Sequence, residues 1–207
     1  MTIAIIGSGR MGQGLAKRLA AAGETVTLTG RDPDKVAALA ADIPGTIGAG
    51  PIADAGSADV VFLAVPYAQA TEAVAQAGSL TGKVLVDITN PIGPDFTLAV
   101  GMTTSGAEEI QKSAPQARVV KAFNTIFSDV LAVQLSEPDV PPQVLYAGDH
   151  EFANQKVDAL ISAIGFAPLF AGPLRNARLL EPIGLMTIQL GMALGHGRRI
   201  VPRFVEY

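Results

Sequence analysis

Three glycines near the start of the chain constrain its fold more than any other feature. Gly7, Gly9 and Gly12 form the pattern G-x-G-x-x-G, directly after an apolar strand predicted at 2–6 and at the opening of a helix predicted at 11–22. The first glycine permits a sharp turn, the second lets a pyrophosphate approach the backbone, and the third lets helix and strand pack closely. The helix N-terminus offers free N–H groups and partial positive charge to phosphates. The pattern predicts a dinucleotide-binding turn, with an ordinary tight turn as the alternative.

The rest of the chain alternates β-rich runs with alanine-rich helical stretches. We predict further strands near 25–29, 46–47, 59–65, 83–88, 118–123, 143–147 and 167–170, and further helices near 33–41, 67–77, 105–113, 128–135, 149–164 and 174–194. A content of 49% hydrophobic and 16% charged residues suits strands that are buried on both faces. The alternation predicts an α/β, Rossmann-type, doubly wound and mainly parallel sheet of about eight strands, with a small C-terminal helical extension. Within one compact unit, 1–141 form the nucleotide-binding domain and 142–207 a small part overlying the cleft.

The end of the second predicted strand distinguishes the two nicotinamide dinucleotides. An NAD site places an acidic residue here for the ribose 2′-OH, whereas this chain has Gly30 followed by Arg31, with Lys35 four residues later. A guanidinium and an ammonium suit a 2′-phosphate, so we predict NADP. Asp32 is the opposing observation, because its carboxylate would repel a phosphate. Its position before Pro33 is also that of a helix N-cap, which would turn it towards the helix amides.

The segments after strands four, five and six are predicted to surround the nicotinamide, because ligands of such sheets lie at the carboxyl ends of the strands. They are Ala64-Val65-Pro66-Tyr67, Thr89-Asn90-Pro91 and Phe123-Asn124-Thr125. We find no suitable general acid or base in them, so no catalytic residue is predicted. Hydride transfer between two cofactors needs none. Asn90 is either a ligand for a carboxamide or a turn former before Pro91.

The composition excludes several classes of site and partner. With no Cys and two His, the chain lacks a thiolate nucleophile and we expect no metal site. A net charge of −4 argues against nucleic acid as a partner. The N-terminus lacks the basic region of a signal peptide, and the apolar stretch 183–194 is too short to span a bilayer core of about 30 Å. We therefore expect a cytoplasmic protein with no membrane partner.

Several of these segments resemble one known family. The glycine turn, Gly30-Arg31 with Lys35, residues 64–67, 119–126 and 171–178 are similar to the NADP-dependent oxidoreductases of the 8-hydroxy-5-deazaflavin coenzyme, coenzyme F420. The resemblance covers nearly the whole chain, and its most specific part is 171–178, which a generic nucleotide-binding domain does not need. It implies hydride exchange between NADP and a deazaflavin over the nicotinamide, without acid or base residues, in a homodimer. Related domains pass hydride from NADPH to a flavin, so a flavin is an alternative acceptor.

The resemblance also implies roles for individual residues. The adenosine and phosphate end would be held by Ser8, Arg10, Met11, Arg31 and Lys35, and the nicotinamide and its partner ring would be lined by Val65, Pro66, Tyr67, Asn90 and Asn124. The chain departs from the family at two of these sites. Gly30 stands where the family often has Ser, and Asn124 stands where it has His, so the environment of the second ring differs.

The C-terminal region leaves two questions open. The predicted helix 174–194 is apolar on more than one face and must be buried, which favours a homodimer formed through it. His196, Arg198, Arg199 and Arg203 then form a basic tail in an acidic chain. The tail either binds the anionic part of a deazaflavin or is a solvated end that complements the helix dipole.

Two other functions remain as alternatives. One is an imine or 3-hydroxyacid-type reductase, whose substrate site needs a longer helical C-terminal domain. The other is a non-catalytic NADP-binding redox sensor.

Overall fold

The computed structural model describes residues 1–133 and 140–206. Eight strands form one sheet in the order β3-β2-β1-β4-β5-β6-β7-β8. The strands are β1 (Thr2–Ile6), β2 (Thr25–Gly30), β3 (Ile47–Pro51), β4 (Val60–Leu63), β5 (Val84–Asp87), β6 (Arg118–Ala122), β7 (Gln143–Gly148) and β8 (Ala167–Phe170). The helices are α1 (Arg10–Ala21), α2 (Pro33–Ala41), α3 (Ala70–Gln76), α4 (Gly106–Ser113), α5 (Ser128–Leu131), α6 (Glu151–Ala163) and α7 (Ala177–Ile188). The predicted Rossmann-type fold is confirmed.

The strand order places a topological switch point between β1 and β4. Strand β1 pairs with β2 on one side and with β4 on the other, and all three are parallel. The crevice outside the carboxyl ends of such strands is where doubly wound sheets bind ligands. One junction reverses direction, because β6 and β7 are antiparallel, and β8 then runs parallel to β7.

Both faces of the sheet are covered, as the apolar strands predict. One face packs against α1, α5 and α6 through side chains such as Leu15, Leu131 and Leu160. The other packs against α3, α4 and the start of α7 through Val74 and Ile110 among others. A sheet buried in this way leaves only its strand ends free to build a site.

Local capping signals account for two helix starts. The Asp32 carboxylate accepts the Lys35 N–H at 3.1 Å before α2. Before α4, the Ser105 hydroxyl accepts the Glu108 N–H at 3.2 Å and donates to the Glu108 carboxylate at 2.8 Å. Both arrangements satisfy N–H groups that a helix start leaves free.

The structure differs from several of the predicted elements. Residues Tyr67–Gln69 form a 3-10 turn before α3, so the predicted helix at 67–77 is split. The third strand covers Ile47–Pro51 instead of 46–47. The helix predicted at 128–135 includes α5, and its last two residues lie outside the described residues.

The predicted helix at 174–194 consists of three consecutive pieces. A 3-10 turn at Leu174–Asn176 leads into α7, which contains Pro182, and a π-helical turn follows at Gln189–Ala193. Its apolar surface is not fully covered within the chain. Four large side chains along it are more than half exposed: Leu179, Met186, Met192 and Leu194.

Candidate active site

The glycine turn between β1 and α1 has the geometry that its pattern predicts. Gly7 has a φ of +116° and donates its N–H to the Thr29 carbonyl at 2.9 Å. A Cβ on Gly7 would lie 2.3 Å from the Ala64 carbonyl oxygen, and one on Gly12 would lie 1.9 Å from the Gly7 oxygen. Only glycine fits at these two positions. A Cβ on Gly9 would meet nothing within 4 Å, so the backbone there faces open space.

A cavity of about 210 Å³ lies at this turn and contains much of the predicted nucleotide site. Its lining consists of Gly7, Ser8, Gly9, Gly30, Arg31, Ile52, Ala64, Val65, Pro66, Gln69, Glu72, Ala73 and Gln76. We call it the nucleotide cavity. Helix α1 has no side-chain cap at its first residue, which leaves its N-terminal N–H groups available beside the cavity. Open backbone at Gly9 and free helix amides fit a pyrophosphate.

The two basic residues after β2 are both exposed, and one of them lines the nucleotide cavity. Arg31 is exposed and lines the nucleotide cavity, and Lys35 is exposed on the first turn of α2. The Asp32 carboxylate is turned towards the Lys35 N–H, so the N-cap role accounts for this acid. A Cβ on Gly30 would lie 2.8 Å from the Val36 Cγ2 atom. The packing of Val36 therefore disfavours a serine at that position.

A second cleft, of about 330 Å³, contains the other end of the predicted site. Its lining consists of Met11, Asn90, Ile92, Phe96, Asn124, Thr125, Ile126, Phe127, Ser128, Gly184, Thr187, Ile188, Met192 and Arg198. We call it the acceptor cleft. Its wall is mainly apolar, and it combines segments that follow β5 and β6 with the far half of α7.

Five of the predicted site residues line neither space. Arg10 is exposed beside a third cavity, while Gly12 is buried against the Gly7 carbonyl, and Lys35 lies on α2. Pro91 is buried, and its carbonyl accepts the Ala99 N–H at 2.7 Å. Tyr67 is half-buried, and a Cβ on Gly106 would lie 2.9 Å from its ring. Burial raises the pKa of Tyr67, and nearby carboxylates raise it further.

The two asparagines are fixed by hydrogen bonds to each other and to α7. Asn124 Nδ2 donates to Asn90 Oδ1 at 3.0 Å and to the Leu180 carbonyl at 2.8 Å, and Asn90 Nδ2 donates to the Asn124 carbonyl at 2.7 Å. Helix α7 approaches this pair through Gly184, where a Cβ would lie 2.5 Å from Asn90 Oδ1. The pair therefore sets the position of α7 at the cleft.

A buried ionic cluster that the sequence did not predict joins β5, β6 and α7. Lys121 on β6, Asp87 on β5 and Glu181 on α7 are 0%, 0% and 1% exposed. Lys121 Nζ donates to Asp87 at 2.9 Å and to the Thr89 carbonyl at 2.6 Å, and lies 3.0 Å from Glu181 Oε1. Three acceptors satisfy the Lys121 amino group, and Lys121 lines neither the nucleotide cavity nor the acceptor cleft, so its role is structural. Asp87 and Lys121 lie inside two strands that were predicted to be fully buried. A charged residue in such a strand needs a buried partner, and this is the sequence signal that could have revealed the cluster.

Glu181 also joins two helices. Its carboxylate accepts the N–H groups of Gly106 at 2.9 Å and Ala107 at 3.1 Å, at the start of α4. The cluster thus connects β5, β6, α4 and α7 within the interior.

The described ranges 1–133 and 140–206 contain no group of three or more His, Cys, Asp or Glu side chains placed to hold a metal ion. No helix in them has both the length and the apolar character needed to cross a bilayer.

Comparison with known proteins identifies related oxidoreductases. The family model "NADP oxidoreductase coenzyme F420-dependent" matches residues 2–91. The F420-dependent NADP reductase of Methanothermobacter thermautotrophicus is 34% identical over 93% of this chain and 90% of its own length. The rat metalloreductase STEAP3 is 33% identical over 88% of this chain, but the match spans only 36% of the rat protein. The crystal structure of a putative F420-dependent NADP reductase from an Arthrobacter species superposes with a TM-score of 0.83, at 29% identity, over 95% of this chain and 96% of its own.

Proposed function

Because the chain belongs to the family of coenzyme F420-dependent NADP oxidoreductases, we propose that it catalyses direct hydride transfer between NADP(H) and a deazaflavin or flavin. The observation that carries the proposal is the pairing of two spaces at the carboxyl edge of the sheet. The nucleotide cavity has the glycine turn and Arg31, and the acceptor cleft is broad and mainly apolar. Planar rings suit an apolar cleft with a few placed polar groups.

In this proposal the residues of the nucleotide cavity bind and orient NADP. The amides at Gly7–Gly12 hold the pyrophosphate, and Arg31 with Lys35 holds the 2′-phosphate. Val65 and Pro66 lie after β4 and direct the nicotinamide towards the acceptor cleft. Gly7, Gly9, Arg31, Val65 and Pro66 line the cavity, and Lys35 is assigned from its predicted role alone.

The acceptor cleft is suited to a reaction that moves no proton through the protein. Asn90 and Asn124 have neutral amides whose hydrogen bonds hold them in place. Arg198 is the one charged residue lining the cleft in the described part of the chain. Apolar residues such as Ile92, Phe96 and Met192 offer a surface on which a planar ring can pack. When both are bound, the nicotinamide and the second ring supply the hydride donor and acceptor.

The test is anaerobic mixing of the protein with NADPH deuterated at C4 and, separately, an oxidised 8-hydroxy-5-deazaflavin, FMN or FAD. We expect the absorbance of one ring to fall together with that of NADPH. Reduced deazaflavin carries the transferred hydrogen on carbon, so mass spectrometry should find the deuterium in it. With the deazaflavin as acceptor, absence of deuterium from its reduced carbon would contradict direct transfer, and no reduction of any ring would contradict the proposed reaction.

We also propose that two copies associate through α7. Leu179, Met186, Met192 and Leu194 are more than half exposed on this helix and its continuation. An apolar groove of about 370 Å³, which includes Met186, adjoins them. Covering this surface favours association. Sedimentation equilibrium should give twice the chain mass, and Met186→Glu should shift the protein to monomer. A wild-type monomer at micromolar concentration would refute this part.

A further inference from the structure

Of the four residues in the basic tail, Arg198 alone lines the acceptor cleft. After the π-helical turn, Gly195 and Gly197 have φ values of +75° and +82°, and the chain reverses direction there. Ile200 and Val201 then pack against the main core. This reversal places Arg198 in the wall of the cleft, whereas Arg203 donates to the Pro141 carbonyl outside it.

The Arg198 side chain is held in place but remains accessible. Its guanidinium carbon lies 5.4 Å from the centre of the Phe127 ring, within the range of a cation–π contact. The Nε atom lies 3.0 Å from Asp129 Oδ2, but its N–H is not directed at an acceptor. The side chain is 38% exposed. A guanidinium that contacts an aromatic ring and keeps N–H groups accessible can donate to an oxyanion.

We propose that Arg198 recognises a negatively charged group, a phosphate or carboxylate, on the side chain of the second substrate. The proposal rests on the proposed function, because it names the chemistry of the substrate that the acceptor cleft takes. Within the described residues, Arg198 is the one charged side chain lining the cleft, so an anion there has one strong partner. The other basic residues of the tail lie elsewhere: His196 lines the apolar groove, and Arg199 lines neither space.

Asp129 opposes this role and thereby gives a second test. Its carboxylate lies beside the guanidinium but lines the neighbouring cavity, together with Arg10 and Lys17, and not the cleft. A negative charge at this distance weakens the attraction of Arg198 for a second anion. Removing it by Asp129→Asn should therefore strengthen the binding of an anionic substrate, while Arg198→Ala should weaken it.

The experiment compares rings that differ only in a phosphate. The dissociation constants of FMN, riboflavin, 5-deaza-FMN and 5-deazariboflavin are measured with NADP⁺ present, by quenching of ring fluorescence. For wild type we expect the phosphorylated ring of each pair to bind more tightly. Arg198→Ala should weaken the phosphorylated rings about tenfold and leave the others within about twofold. Asp129→Asn should shift the phosphorylated rings in the opposite direction.

Arg199→Ala is the matched control, since it removes the same charge from the next position outside the cleft. Equal effects of Arg198→Ala and Arg199→Ala would overturn the proposal. They would indicate that the summed positive charge of the tail, and not a specific contact of Arg198, attracts the anion. Equal weakening of riboflavin and FMN would also overturn it, as would a loss of NADPH affinity with no loss of FMN affinity. Rings that bind with the phosphate preference but are not reduced would refute the proposed reaction alone. If none of the four rings binds, both proposals fail.

Discussion

The buried ionic cluster makes a quantitative prediction about stability. Lys121→Met keeps most of the side-chain volume and removes the ammonium group that lies between two carboxylates. Asp87 and Glu181 are 0% and 1% exposed, so water cannot replace the lost cation without opening the interior. The variant also leaves the Thr89 carbonyl without its 2.6 Å donor.

The size of the effect follows from which partners remain. Removing one partner of a buried ion pair costs about 3–5 kcal/mol, because the other charge is left unpaired. Glu181 still accepts two amides of α4 and Asp87 still accepts the Thr89 N–H, which limits the loss. We therefore expect Lys121→Met to reduce the free energy of unfolding by about 3 kcal/mol. Since domains are stable by about 5–15 kcal/mol, the variant should still fold.

Urea unfolding followed by far-ultraviolet circular dichroism measures this difference. Lys112→Met is the matched control, because Lys112 forms an ion pair of similar length, 2.8 Å, with Glu109 on the surface, where the Lys112 side chain is 69% exposed. A pair of this kind contributes little, so the control should unfold close to wild type. Asp87→Asn combined with Lys121→Met should recover part of the loss, because the amide oxygen keeps the Thr89 N–H bonded and the excess charge is removed.

Two results would refute this reasoning. If Lys121→Met and Lys112→Met unfold at the same urea concentration, the buried cluster contributes no more to the free energy of unfolding than the surface ion pair does. If the double variant is less stable than Lys121→Met, the unpaired carboxylate is not the source of the cost.

Three other perturbations test separate parts of the molecule. Arg31→Ala should weaken NADPH binding by about tenfold and NADH binding hardly at all, measured by calorimetry; equal losses would refute the 2′-phosphate role. Gly184→Ala places a Cβ 2.5 Å from Asn90 Oδ1, so we expect a lowered melting temperature and weaker binding of the second ring, with NADPH affinity kept; an unchanged melting temperature would show that α7 shifts freely. Hydrogen bonds from Arg178 lower the pKa of Glu108, so this carboxylate stabilises the fold above the ordinary glutamate pKa and the contribution is lost as the pH falls through the lowered value. Glu108→Gln should therefore flatten the acid side of the stability profile, and an unchanged profile would contradict the assignment.

Elements whose signals are local were predictable from the sequence. The glycine turn, the Asp32 cap and the Ser105 capping box each depend on residues within a few positions of one another. The doubly wound, mainly parallel class of the sheet followed as well, because alternating strands and helices leave few topologies open. The position of β3 was less predictable, since its pairing with β2 and not its own composition places it at Ile47–Pro51.

The acceptor side of the site was harder to predict, because it depends on contacts between distant segments. Asn90 and Asn124 were identified as lining residues, but nothing local indicates that each holds the other. Lys121 and Asp87 are neighbours only because β5 and β6 pair in that register. The place of Arg198 depends on the reversal at Gly195 and Gly197 and cannot be read from the charge run alone.

These observations assign the two halves of the site to different parts of the chain. The nucleotide cavity is built by turns between strands of the sheet, and its geometry depends on the glycines near β1 and on the end of β2. The acceptor cleft depends on where α7 lies, and α7 is held at Glu181 by the ionic cluster and at Gly184 by the asparagine pair. If the proposed reaction is correct, we expect a substitution in α7 or the tail to change which ring is accepted without changing the nucleotide. Arg31→Ala and Arg198→Ala should then affect one binding equilibrium each.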